Sequence, residues 1–164
     1  MIRHFTASGA VFSGDHVLLV EHRKLGCWLY PGGHVDTDED PAQAVLREVH
    51  EETGILCEII ATPRFTHPAA NVIPSPWAIC VQDVHDAKVG PHQHIDMVYV
   101  LRPVVAESGN DRLPAVDPQL AEVARCSWVP LTKLPGLDMP SELPDLINAA
   151  AAYAAAKRDR YKDG

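Results

Sequence analysis

Apolar positions in this chain fall into short β-branched runs, with one stretch of helical spacing between them. Residues 5–12 are small, apolar and β-branched, Ser13-Gly14-Asp15 marks a turn, and residues 16–20 resume the apolar run, which predicts two strands joined by a hairpin. Trp28-Leu29-Tyr30 predicts a short strand ending at Pro31-Gly32-Gly33, where paired glycines let backbone approach a ligand closely. Asp40-Pro41 then opens a helix over 41–53. Asp40 suits the N-cap, Pro41 the first helical position and Gln43 a capping box, while Gly54 stops the helix. Ala42, Leu46, Val49 and Thr53 share one face, so that face is expected to pack inward.

Further strands are expected at about 56–61, 77–83, 96–105 and 124–129. Pro63, Pro68, Pro74 and Pro76 turn the stretch between the first two into a long loop. An alanine-rich helix is expected over about 141–157, with a frayed tail at 158–164. The order of elements suggests α+β or a mixed α/β sandwich, in one domain spanning 1–164 without a linker.

Composition fits that picture: 164 residues, 46% hydrophobic and 22% charged, give enough apolar material for one core. No run approaches the roughly 20 apolar residues of a membrane helix. The opening Met1-Ile2-Arg3-His4-Phe5-Thr6 has no signal-peptide core, so a cytoplasmic location is expected. The net charge of −8 argues against stable nucleic-acid binding, which needs a basic surface. Cys27, Cys57, Cys80 and Cys126 form no CxxC pair and read as reduced core residues.

Acidity concentrates on the first helix. Glu48, Glu51 and Glu52 lie within about a 100° sector away from its apolar stripe. Three ionised carboxylates this close need solvent, basic partners or a cation to compensate them. Hard oxygen ligands favour magnesium or manganese. Alone, such a run is more often a solvated face, and Arg47 can pair with Glu51 at i, i+4 spacing. The ordered context changes the odds. The chain reads Gly33, five residues, Glu39, seven residues, Arg47-Glu48-Val49, one residue, Glu51-Glu52, one residue, Gly54-Ile55.

This pattern resembles the signature box of the Nudix hydrolase family at all nine specified positions. Chance agreement is on the order of 10⁻⁹ or less per starting position. The approach Leu25-Gly26-Cys27-Trp28-Leu29-Tyr30-Pro31-Gly32-Gly33-His34 is also similar to many members, as is Trp128-Val129-Pro130-Leu131 downstream.

The resemblance implies an α/β/α sandwich with a mixed sheet and a loop–helix–loop site. It implies magnesium-dependent hydrolysis, with manganese as the alternative ion, of a diphosphate linkage in a small-molecule nucleotide or another diphosphate. It makes Glu48, Glu51 and Glu52 metal ligands, with the Gly32 carbonyl as a further one. Arg47 orients a glutamate and, with Glu39, holds the box together. Glu52 or Glu48 is the expected general base; Glu122, six residues before Trp128, is an outside candidate for acidic ligand or base. Many members are dimers, so a homodimer is part of the expectation.

Weaker signals lie elsewhere. His92-x-His94-x-Asp96 opens a strand with all three side chains on one face. It reads as a solvated polar face, as substrate-pocket lining through His94 and Asp96, or as a metal site short of a further ligand. Arg23 and Lys24 precede the glycines and either contact a terminal phosphate or form loop surface. Tyr30, Phe65 and Trp77 either stack a base or pack in the core. His34 either faces the site or decorates a loop. Family markers for ADP-ribose and dinucleoside polyphosphates are not matched near Pro68 and Asn71-Val72-Ile73. Two alternatives remain: a non-catalytic nucleotide- or metabolite-binding module, and an isomerase of the isopentenyl diphosphate type, which needs a catalytic cysteine such as Cys57 or Cys80 and metal-binding histidines such as His22.

Overall fold

The computed structural model describes residues 1–61, 65–87, 89–104, 113–118 and 123–162, with side chains to Lys157 apart from that of Asp86. The elements run β1 (Arg3–Ser13), β2 (His16–His22), β3 (Trp28–Leu29), β4 (Gly32–His34), α1 (Pro41–Thr53), β5 (Cys57–Ile59), β6 (Ala78–Asp86), β7 (Gly90–Pro103), β8 (Val123–Pro130), a 3₁₀ turn (Leu131–Gly136) and α2 (Leu143–Lys162).

The sheet is mixed. β1 and β7 pair in parallel from Arg3↔Gln93 to Val11↔Leu101, while the other strand pairs are antiparallel. The path β3-β2-β1-β7-β5 is joined by β4 on β1, β6 on β7 and β8 on β2. Alternation along the two central strands sends their side chains to opposite faces. Ala7, Val11, Tyr99 and Leu101 bury against Ala42, Val45 and Val49 of α1. Ala10, Phe12, Val98 and Val100 bury against Ile147, Ala150 and Ala154 of α2. The result is an α/β/α sandwich, as the sequence resemblance implied.

Helix α1 forms where its local signals place it. Asp40 Oδ1 accepts from the Ala42 and Gln43 amides at 2.8 and 3.0 Å, and Gln43 Oε1 accepts from the Asp40 amide at 2.9 Å. Gly54 ends the helix at φ +73° and donates to the His50 carbonyl. The inward stripe differs from expectation at three positions: Ala44 and Val45 are buried, whereas Leu46 is half-buried at the rim.

Strand limits also shift. The strand expected through Tyr30 stops at Leu29, because Pro31 has no N–H for a ladder. The strand expected over 56–61 shrinks to Cys57–Ile59, with Leu56 exposed. β7 starts six residues earlier than expected, because its backbone pairs β6 through a hairpin at Gly90 whatever the polarity of His92 and His94. α2 runs from Leu143 to Lys162, past the end expected for it at 157.

Candidate active site

The carboxylates of α1 are organised by one arginine. Arg47 Nε and Nη2 donate to Glu39 Oε2 and Oε1 at 3.0 and 2.6 Å, a bidentate pair. Its Nη1 donates to Glu48 Oε1 at 2.9 Å and to Glu51 Oε2 at 3.2 Å, and Nη2 also reaches the His34 carbonyl at 3.1 Å. These bonds hold the Glu39 carboxyl below the usual range, helped by the Asp36 amide, while the acidic partners push the guanidinium still higher. Arg47 thereby ties the loop after β4 to the helix and fixes two glutamates at once.

The glycine strand closes the other side. The Gly32 amide donates to Glu52 Oε2 at 3.0 Å. A side chain at Gly33 would occupy the space of the Glu48 carboxylate, so glycine here serves close approach. Glu48, Glu51 and Glu52 therefore converge beside β4, on the side where α1 packs. That donor set of hard oxygens fits a divalent cation of the magnesium type.

A second polar group lies on the opposite sheet face. Asp96, 2% exposed, accepts from Thr6 Oγ1 at 2.9 Å, Ser8 Oγ at 2.8 Å and Tyr30 Oη at 3.2 Å. Burial raises its carboxyl above the usual range despite the opposing effect of the three hydroxyls. Further along the same face, four imidazoles meet. His34 Nε2 lies 3.2 Å from His4 Nδ1, and His92 Nε2 lies 3.1 Å from His94 Nε2.

Comparison with known proteins identifies the family. The NUDIX domain family model matches residues 2–149. The chain belongs to the Nudix family. A probable DHNTP pyrophosphohydrolase of Lactococcus lactis subsp. cremoris is 32% identical over 109 residues, covering 66% of this chain and 60% of that protein. An RNA pyrophosphohydrolase of Brucella ovis is 41% identical over 51 residues, or 29% of each chain. The chain thus spans less than two thirds of these curated relatives. Among solved structures, a NUDIX-family hydrolase of Clostridium perfringens superposes with TM-score 0.78 at 23% identity, covering 94% of this chain and 99% of that one. The NUDIX domain of Shewanella oneidensis NrtR, complexed with ADP ribose, gives 0.61 at 22%, covering 94% and 90%. These two likenesses establish the fold.

Within this Nudix domain the weaker candidates separate. Tyr30 is buried in the α2-side core with its hydroxyl on Asp96, so the two hold each other and neither presents an open surface for stacking. Arg23 Nε donates to the Val123 carbonyl at 3.2 Å, which draws it onto β8. Trp77 packs beside Tyr153, whereas Phe65 is exposed and stacks on His67, so core packing does not hold for Phe65. Glu122 and Pro63 lie outside the described residues. The cysteines are reduced and half-buried rather than fully in the core. Sequence reasoning named His92 and His94 but missed His4 as their companion. Only the parallel pairing of two strands 90 residues apart joins them, and no local pattern reports that.

Among the described residues, no helix is long and apolar enough to cross a membrane.

Proposed function

We propose that this protein is a magnesium-dependent Nudix pyrophosphohydrolase, which cleaves a diphosphate linkage in a nucleoside triphosphate or nucleoside diphosphate derivative. The convergence of Glu48, Glu51 and Glu52 beside the glycine strand, fixed by Arg47 and the Gly32 amide, carries the reading. Glu48, Glu51 and Glu52, with the Gly32 carbonyl, would hold the metal. Magnesium held there would neutralise the diphosphate oxygens and align the leaving group. Water attacks one phosphorus, the anhydride P–O bond breaks, and a glutamate takes the water's proton.

Glu52 is our choice for that proton. Its Oε2 accepts from the Gly32 amide at 3.0 Å, which holds it against the glycine strand, while Glu48 Oε1 is held by Arg47. Arg47 acts through the glutamates as a positioning residue. A small-molecule nucleotide substrate and a cytoplasmic site of action belong to the same proposal. The pyrophosphohydrolase names of the curated relatives support it. The isomerase alternative gains no support, since burial raises both candidate thiols, Cys57 to about 12.

The test is a nucleotide panel with magnesium, in which released phosphate, pyrophosphate and nucleoside monophosphate are measured. Wild type should turn over at least one compound, and Glu52→Gln should lower kcat by about 10²–10⁴-fold. Equal trace rates for both proteins across the panel would leave the binding-module reading standing instead.

A further inference from the structure

We propose that His4, His92 and His94 form a binding site for a divalent transition metal of the zinc type, separate from the carboxylates on α1. The topology builds it. Parallel pairing sets His4 directly beside His94, and alternation along β7 puts His92 on the same face. That is the α2 face of the sheet, shared with Thr6, Ser8 and Asp96, whereas the glutamates gather on the α1 side. β4 brings a fourth imidazole, because His34 pairs with Thr6 across the sheet.

The distances fit a metal shell. One nitrogen from each of His4, His92 and His94 lies within 4.8 Å of the others. Zinc–nitrogen bonds of about 2.0–2.1 Å in a tetrahedron put neighbouring ligand nitrogens about 3.3 Å apart. The His92–His94 separation is 3.1 Å, so that pair needs almost no movement. The rings of His4 and His92 are 4.9 Å apart and those of His92 and His94 5.0 Å, so the three are gathered around one point.

Tautomer and burial add a second, independent line. His92 Nδ1 lies 2.9 Å from the Gly90 carbonyl. A carbonyl only accepts, so Nδ1 carries the proton and Nε2 presents its lone pair towards His94. A backbone carbonyl fixing the remote nitrogen of a ligating histidine is the usual outer-shell arrangement of metal sites. His92 is 3% exposed, which holds the ring in that orientation.

Three imidazoles with the fourth position left open is the pattern of sites that bind an exchangeable ligand, such as water or an anionic oxygen. His34, with its ring 5.1 Å from that of His94, stands where it can close that position or yield it. Imidazole donors select zinc, cobalt, nickel or copper, and magnesium stays with carboxylates. The two sites therefore sort different ions.

The experiment uses the metal-free full-length protein, titrated with cobalt and then zinc in excess magnesium. The expected result is one bound cobalt with the intense visible bands of four- or five-coordinate geometry, displaced by zinc and retained in Glu52→Gln. His4→Ala and His94→Ala, on different strands, should each weaken binding by about 100-fold or more, since loss of a mere outer-shell partner already costs about 10–100-fold. Circular dichroism confirms that each variant is folded; His92→Ala is avoided because that side chain is buried. Three results overturn the proposal: only the pale spectrum of six-coordinate cobalt, undiminished affinity in both folded histidine variants, or loss of the bands in Glu52→Gln.

Discussion

The two faces of the β1–β7 strand pair gather polar groups by opposite means. On the α1 face, Glu39, Arg47, Glu48, Glu51 and Glu52 fall within fourteen consecutive positions, and one guanidinium binds three of the carboxylates. On the α2 face, Thr6, Ser8, Tyr30 and Asp96, with the four histidines, come from three separate strands and the segment between β3 and β4. The first cluster is assembled by helical periodicity, and its charges are compensated by a cation. The second is assembled by strand register, and its one carboxylate is compensated by neutral hydroxyls. A helix turn can therefore be read from a single stretch of chain, whereas register must be seen.

The largest expected effect tests how tightly the first cluster is fitted. Gly33→Ala puts a methyl group where the Glu48 carboxylate lies. The carboxylate must move, and a displacement of about 1 Å at a reacting site costs on the order of 100-fold in rate. Overpacking should cost about 1–3 kcal/mol in stability, read from urea melts. A folded Gly33→Ala protein with wild-type kcat would show that Glu48 need not stay where α1 holds it.

The same contrast explains what the sequence disclosed. The limits of α1, its caps and the box were all legible, because each depends on residues a few positions apart: Asp40 with Gln43, Gly54 with His50, Arg47 with Glu51. The layered fold followed from the family resemblance those residues carry. The early start of β7 was not legible, since backbone pairing with β6 draws polar residues into the ladder against their own propensity. Nor was the link between His4 and His94, or between Asp96 and the hydroxyls of β1, which only the parallel register creates. The exposure of Phe65 escaped for the same reason: an aromatic in a proline-rich loop carries no local sign of which core, if any, it reaches.

A middle-sized effect should follow Arg47→Lys. A lysine keeps the charge and loses the bidentate fork on Glu39 and the simultaneous reach to Glu48 and Glu51. Loss of that positioning should lower kcat by roughly 10–100-fold, in the range of outer-shell changes at metal sites. The pH dependence gives an independent readout. The folded pKa of Glu39 is depressed by Arg47, so its contribution is present above the unfolded carboxylate range and lost as pH falls through the folded value. The stability gap between wild type and Arg47→Lys should therefore be widest near neutrality and narrow on acidification. A gap that widens towards acid would remove Glu39 as its source.

The smallest effect belongs to the other face, and its sign is the reverse. Asp96 has a folded pKa raised by burial, with the Ser8, Thr6 and Tyr30 hydroxyls pulling the other way. Its contribution is thus fully present below the unfolded value, about 3.9, and is lost as pH rises through the folded value. Asparagine keeps the shape and an acceptor oxygen for the hydroxyls, and cannot ionise. Relative to Asp96→Asn, wild type should lose stability on going from acid towards neutral pH, measured as the difference between two series of urea melts. Because three donors already stabilise the ionised form, the change should be modest. A difference that runs the other way would mean that the hydroxyls outweigh burial, and the carboxylates of both faces would then be compensated to the same degree by different chemistry.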